Sequence, residues 1–516
     1  MVHRLTRWLL TQRSSPRLAF LLQIGCRALT SLLSLLWIPL LLGSMGKPLN
    51  GLFLNFHSIV SMGGLGELGM GGLVNIQTSR LLGQGKEHEL RKLLATARAF
   101  FGVMALLAGG VFLVIAPGLL RWQKFDAVPG VGSLAGLCVV GALAVVLLLL
   151  TSYITSLNYG CGNVVWPVVP GFVIMQLGFL AHWLLARQGA SLWVQYLPYQ
   201  AGAVVAFLLG WAWIRLSHPL LGTLRPLTFA WRQLLSLTGN SFWVYLGCVA
   251  SSVTTTISGM LITAGFGPAV LPTYRYNSKL CELTLFVIVS ASAASLPKIT
   301  QWLASPEAGT RQSAVRDIER LNQFQTLLGC TGALLYLAVN DWFIRFWLGK
   351  SLHAPLSWQA AFAASLAITS AGQIGWDVAA RCCDRGIRVV GVAAALMMLL
   401  NLGLSLAAMK VGSIFGIALS GVISGTVALL AMGWYSCRQI GMSWWRLSLR
   451  TWLLALAVTG LGVIMRILMP VQSALAGGVT VGVYLAAILL IAFLLGIRIK
   501  DVRREIASLR SLFGRG

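Results

Sequence analysis

Acidic residues are scarce in this chain: 13 Asp and Glu stand among 516 residues, against 39 Lys and Arg. Charged residues of both signs make up only 10% of it, where a soluble domain carries about a quarter. A water-facing surface cannot be built from that inventory, so lipid must cover most of the outside. Polar loops long enough to fold on their own are also lacking. The longest expected on the outer face run from Pro117 to Gly130 and from Asn340 to Leu356. The nine cysteines show no CxxC pair and no metal-ligand spacing, which leaves them as small apolar residues of a membrane interior. The glycine-dense stretch near residue 66 lacks the Lys-Ser/Thr ending of a phosphate-binding loop. No catalytic constellation is visible, so the expectation is a protein that is not an enzyme and needs no cofactor or metal. A net charge of +26 would point to nucleic acid in a soluble protein. Here the bases fall in short loops between apolar runs, so nucleic acid is not an expected partner.

What is abundant is apolar sequence: 57% of residues are hydrophobic and the mean hydropathy is +0.81. A hydrocarbon core about 30 Å thick takes about 20 helical residues to cross. Fourteen segments qualify: 18–42, 49–73, 97–116, 131–156, 163–186, 193–214, 239–264, 269–296, 323–340, 357–380, 388–409, 412–435, 449–469 and 474–496. Alternating strands of about ten residues, as a membrane barrel requires, are not seen. The first segment contains Arg27 and no small-residue cleavage signal, and reads as a spanning helix preceded by a basic tail (Arg4, Arg7, Arg13, Arg17). With the N-terminus inside, the inner loops and tails hold 28 Lys and Arg and the outer loops hold 7. That bias over short loops predicts cytoplasmic termini and an even number of spans.

The chain echoes itself weakly. Span 2 leads into a basic, amphipathic segment with Leu90, Leu93, Leu94 and Ala97 at helical spacing. Span 8 leads into a similar one with Ala314, Ile318 and Leu321. Six spans separate them, which suggests parallel repeats. The expected organisation is therefore an N-lobe at 1–216, a cytoplasmic linker at 217–238, a C-lobe at 239–436, two further spans at 437–496 and a basic amphipathic tail at 497–516 lying against membrane lipids.

Ionisable groups inside spans cost several kcal/mol unless they meet a partner or a cavity, so they are the candidates for function. Arg27 lies deep in span 1, as a cation lining a polar cavity or as half of a structural ion pair. Arg275 and Lys279 are four apart on span 8 and share a face. Glu282 can pair with Lys279, which still leaves one cation over. Glu67 sits among six glycines in twelve residues, Ser61 to Gly72, a composition that weakens the helix. It can bind a proton or cation, or pair locally. Asp377, with Arg381 four residues on, suits an interfacial ion pair. Arg466 is expected to snorkel from the outer end of span 13. Glu67, Glu282 and Asp377 are the candidates for coupling transport to an ion.

Four stretches resemble a known family. Gly46-Lys47-Pro48-Leu49-Asn50-Gly51-Leu52-Phe53 is followed by Gly66-Glu67-Leu68-Gly69-Met70-Gly71 and by Ser79-Arg80-Leu81-Leu82-Gly83-Gln84-Gly85-Lys86. Gly265-Phe266-Gly267-Pro268-Ala269-Val270 then precedes Tyr274-Arg275-Tyr276. Their order and spacing resemble the polysaccharide flippases of Wzx type, within the multidrug/oligosaccharidyl-lipid/polysaccharide exporter superfamily. Glu67 replaces the usual Asp and keeps its charge. The resemblance implies an all-α integral membrane fold of about fourteen helices, with two six-helix lobes in a V-shaped pseudo-twofold arrangement and two extra C-terminal helices. It implies flipping of an undecaprenyl-pyrophosphate-linked oligosaccharide across the bacterial inner membrane for O-antigen or exopolysaccharide assembly, with a polysaccharide polymerase complex as a further partner. A pyrophosphate crossing a low-dielectric layer calls for fixed cations, and Arg27, Arg275 and Lys279 would supply them. Trp37, Tyr274 and Tyr276 would stack on sugars. A drug or cation antiporter of the same superfamily is the first rival, and would want more acid than base in its cavity. A membrane glycan polymerase or ligase is the second, and the short loops leave it little room.

Overall fold

A computed structural model describes residues 16–163, 165–218, 231–303, 307–383 and 385–468. Among the described residues every regular element is helical. In chain order the α-helices are α1 (Pro16–Met62), α2 (Met70–Gly83), α3 (Glu87–Trp122), α4 (Leu134–Gly160), α5 (Val165–Arg187), α6 (Leu192–Ser217) and α7 (Trp231–Phe266). They continue as α8 (Val270–Asn277), α9 (Lys279–Leu303), α10 (Ala308–Trp347), α11 (Leu356–Cys382), α12 (Gly386–Lys410), α13 (Ile414–Ile440) and α14 (Arg450–Leu468). Ten helical stretches among the described residues are long and apolar enough to cross a membrane. The expected span at 474–496, the tail at 497–516, the first bases of the N-terminal tail and most of the inter-lobe linker lie outside the described residues.

Helix contacts group the chain into two units, Met1–Pro272 and Thr273–Gly516. In the first, α4 is central and packs against α2, α3 and α6. Its apolar side chains are buried on most of its circumference, as expected for a helix hydrophobic all round. Ser133 caps it by accepting from the Gly136 N–H at 3.2 Å, which satisfies one of the orphan donors of the first turn. Helix α3 begins as the expected amphipathic segment. Glu87 and Glu89 lie in its first turn, where they oppose the helix dipole, and Leu90, Leu93, Leu94 and Ala97 are buried. Further on, Leu106 and Val114 are 73% and 81% exposed, a face that only lipid can cover without cost. Helix α7 packs on α1, α2 and α3.

In the second unit the central helix is α11, touching α9, α10, α12, α13 and α14. It corresponds to the tenth expected span and α4 to the fourth, a separation of six, the same as that of the sequence echo. Helix α10 repeats the pattern of α3, with Ala314 and Ile318 fully buried in its amphipathic first half. Close packing of α11 and α13 depends on glycine. A Cβ on Gly375 would lie 2.9 Å from the Gly433 Cα, and the Ser436 hydroxyl donates to the Gly375 carbonyl at 2.6 Å. Small residues that let backbones meet are the usual basis of helix association in lipid.

Expected spans 1 and 2 run on as one helix kinked at the loop between them, and expected spans 2 and 8 are themselves interrupted. Gly46, at φ 71° and ψ 168°, kinks α1, in a backbone region that glycine alone enters freely. Pro48, two residues on, starts the second half without an N–H to leave unsatisfied. Span 2 breaks again after Met62, into a 3-10 turn Gly63–Glu67 followed by Leu68 and Gly69, both left-handed. Span 8 is split at Ser278 into α8 and α9. There the Asn277 carbonyl accepts from the Tyr336 hydroxyl at 3.0 Å. Its side-chain amide donates to the carbonyls of Thr273 at 2.7 Å and Leu352 at 2.8 Å.

Candidate functional site

Each unit carries its own set of polar groups inside apolar helices. In the first unit the break after Met62 ends on Glu67. Its Oε2 accepts from the Ser152 hydroxyl of α4 at 2.7 Å. A Cβ on Gly71 would lie 1.8 Å from Oε1 and 2.7 Å from the Ser156 Oγ. The carboxylate therefore occupies the space that a glycine one turn further on leaves open, facing two serines of α4. Helix α7 touches this turn as well. A carboxylate with hydroxyls beside a broken helix is an arrangement suited to a proton or a small cation.

The same unit holds a continuous chain of rings. Trp37 stacks on Phe179 with centroids 6.2 Å apart, and Phe179 meets Tyr199 at 5.7 Å. Tyr199 adjoins Phe53 and Tyr196, and Phe53 adjoins His182 at 4.4 Å and His57 at 6.3 Å. Polar atoms line it. The Trp37 indole N–H donates to the Gln176 Oε1 at 2.9 Å. The Gln176 Nε2 is buried without a hydrogen-bond partner among the described residues. The Gln195 amide donates to the Ala190 carbonyl at 2.6 Å, which turns its Oε1 toward the His182 Nε2 at 3.2 Å. His182 is thus protonated on Nε2 and accepts from the Tyr199 hydroxyl on Nδ1 at 2.8 Å. His57 pairs with the Tyr196 hydroxyl through Nδ1 at 3.0 Å in a part-buried contact. Aromatic faces interleaved with amide and imidazole groups are the chemistry that holds a sugar ring. Arg27, on the first half of α1, is exposed.

In the second unit Arg275 closes α8 and Lys279 opens α9, on either side of Ser278. They flank a helix break instead of sharing the face of one continuous helix. Lys279 pairs with Glu282 at 3.3 Å as expected, and the Ser278 hydroxyl also donates to Glu282 at 2.9 Å. Tyr274 is buried against Phe362 and Trp358, and Tyr276 against Trp347. Asp377 accepts from the Gln373 amide one turn N-terminal of it at 3.2 Å, and Arg381 also acts on it electrostatically. Arg466 does not snorkel to water. It reaches the Asp341 Oδ2 at 2.6 Å, joining α14 to α10. Among the described residues no group of three or more His, Cys, Asp or Glu could hold a metal ion.

Ser152, Gln176, Tyr196, Tyr199 and Asp341 are polar residues that the sequence reading did not single out. A signal exists for some of them. Ser152 and Ser156 are four apart in an apolar run, as are Tyr196 and Gln200, so each pair lies on one helix face.

No protein-family model and no curated protein matches the sequence. Solved structures do match. A structure of the lipid II flippase MurJ in an inward closed conformation superimposes with a TM-score of 0.63 at 13% identity, covering 92% of this chain and 98% of the other. An inward-facing multidrug resistance MATE family transporter of the MOP superfamily gives 0.55 at 12% identity, covering 79% and 94%. A MATE protein in complex with MaL6 gives 0.52 at 13% identity, covering 84% and 96%. The chain is an all-helical, multi-pass membrane protein with the fold these transporters share.

Proposed function

We propose that the protein flips an undecaprenyl-pyrophosphate-linked oligosaccharide from the cytoplasmic to the periplasmic leaflet of a bacterial inner membrane by alternating access. Such a step serves the assembly of a surface polysaccharide such as O-antigen or exopolysaccharide, and a polymerase complex would take up the product. The observation that carries this reading is the fold held in common with a lipid II flippase over 92% of the chain. Charge supports it. The chain has three bases for every acid, and Arg27, Arg275 and Lys279 all belong to segments that cross or border the membrane. Fixed cations offset the cost of moving a pyrophosphate through a low-dielectric layer. Trp37 and Phe179, the partly buried end of the ring chain, would supply surfaces for sugars, while Phe53, Tyr196 and His182 belong to the core beneath them. In this reading the lobes are 1–216 and 239–436, both termini are cytoplasmic, and the work is transport without covalent chemistry.

One observation favours the rival reading of a drug or cation antiporter: Glu67, beside Ser152 at a helix break, is suited to a cation. The two readings separate in proteoliposomes carrying a defined undecaprenyl-pyrophosphate oligosaccharide on one leaflet. Flipping by the intact protein that falls steeply in Arg27→Ala and Arg275→Ala is the expected result. A folded protein that moves no such lipid, but exports a cationic dye, would overturn the proposal in favour of the antiporter.

A further inference from the structure

Asp341, near the C-terminal end of α10, is surrounded by bases. Arg466 lies 2.6 Å from its Oδ2 and Arg345 lies 3.1 Å away, with the Arg345 Nε also donating to Oδ1 at 3.2 Å. His353, in the turn that follows α10, pairs with Oδ1. One carboxylate balances one guanidinium, so at least one full positive charge remains. Lys350, in the helical turn Lys350–Leu352, adds another. Asp341 is the only acid in the sequence between Glu319 and Asp377, and α14 carries none. Glu282, in the first turn of α9, is taken up by Lys279 and Ser278. Among the described residues Asp341 is the one acid in an ion pair with these bases, so the surplus stands.

The burial of this cluster is graded. The Asp341 and Arg466 side chains are 14% and 13% exposed, whereas that of Arg345 is 49% exposed. Beside Arg345 on the same helix end, Trp342 and Phe346 stack at 5.4 Å with their planes 3° apart. They are 60% and 77% exposed, with nothing apolar from the described chain covering them. Large exposed aromatics next to an exposed arginine at the end of a spanning helix mark the level of the lipid headgroups.

We propose that this end of α10 is a binding site for the headgroup phosphate of an anionic phospholipid. Arg345 and Lys350 make the charged contacts. Arg466 holds Asp341, which sets the position of the Arg345 guanidinium. Trp342 and Phe346 lie against the glycerol and upper acyl chain. A hydrated lysine suits one phosphate oxygen and the planar guanidinium of arginine spans two. Each base near an anionic surface contributes about fivefold in affinity. The inference is independent of what the protein transports.

The test uses the full-length protein in phosphatidylcholine vesicles containing a rising fraction of brominated phosphatidylglycerol or brominated phosphatidylcholine. Bromine quenches nearby indole fluorescence, and subtracting the same titration of Trp342→Phe isolates Trp342. The expected result is a preference for phosphatidylglycerol at this indole of about tenfold or more. It should be weakened in Arg345→Lys, which keeps the charge but not the fork, and lost in Arg345→Gln with Lys350→Gln. Asp341 keeps Arg466 in that double variant, so the helix pair stays joined. Equal quenching by the two lipids would overturn the proposal, as would a preference that the double variant leaves unchanged. Loss of the preference on adding millimolar inorganic phosphate would assign the site to the free anion instead of the lipid.

Discussion

Glu67 illustrates how much one carboxylate can require of its surroundings. A charge inside a span costs several kcal/mol, and the hydrogen bond from Ser152 returns about 1.5–3 kcal/mol of that. The backbone is strained as well: Leu68, the next residue, is left-handed at φ 50°, which costs a side-chain-bearing residue roughly 1–2 kcal/mol. The geometry persists because Gly71 has no Cβ where the Glu67 carboxylate sits. Gly71→Ala should therefore push the carboxylate off Ser152 and reproduce the transport defect of Glu67→Ala. Losing a hydrogen bond to a charged group amounts to about a tenfold effect or more. Gly72→Ala is the matched control, since a Cβ there meets nothing within 4 Å, and it should transport like the unaltered protein. The check is initial transport rate in proteoliposomes at equal protein content. Equal rates for the two alanine variants would show that the position of Glu67 does not matter. The glycine-dense context of Glu67 was legible in the sequence because propensity is local. Its partner was not, since Ser152 lies 85 residues away and only the packing of the Gly63–Glu67 turn on α4 brings them together.

At the scale of the element, helices were legible and their interruptions were partly so. Long apolar runs have no alternative in lipid but to hydrogen-bond internally, and α3, α4, α6, α12 and α13 follow the expected spans within a few residues, apart from the amphipathic extension of α3. The breaks at Gly46 and at Gly63–Gly69 follow from glycine. The break at Ser278 does not, because it depends on Tyr336 taking the Asn277 carbonyl from 59 residues away. Arg466 was misjudged for the same reason: its partner, Asp341, is 125 residues distant. Packing of α11 onto α13 shows what such distant contacts demand. The Gly375 Cα approaches backbone, not a flexible side chain, so nothing can move aside for a larger residue. Gly375→Val should force the helices apart and destabilise the second unit by about 1–3 kcal/mol or more, the range for overpacking a tight core. Gly403→Val, on α12, where a Cβ meets nothing within 4 Å, should be neutral or slightly stabilising, because valine is a better helix former than glycine. Thermal unfolding of the detergent-solubilised proteins, followed side by side, compares them. A midpoint for Gly375→Val as high as that for Gly403→Val would mean that the helices do not meet as closely as 2.9 Å implies.

At the scale of the whole molecule, the chain's charge should decide its orientation. Lys and Arg are four times as numerous on one set of alternate loops as on the other, and such a bias keeps the basic loops in the cytoplasm. That expectation assigns each described turn to a side by its place in the order of spans. Those around Gly130, Gly189 and Gly412 join helices on the lightly charged side. Those around Gly85 and Gly441 lie on the basic side. Each of these glycines has a positive φ, so a neighbouring polar residue is the better place for a reporter. In a variant whose nine cysteines are replaced by alanine or serine, Cys at Ser133, Gln188 or Ser413 should react with a membrane-impermeant maleimide in intact cells. Cys at Gln84 or Ser443 should react only after the membrane is opened. The fold alone does not dictate this result, because the same helix bundle could be inserted either way up, and only loop charge distinguishes the two. Labelling of the Gln84 and Ser443 positions from outside would invert the topology. It would also place the basic termini in the periplasm, and with them the direction in which any lipid-linked anion is drawn across.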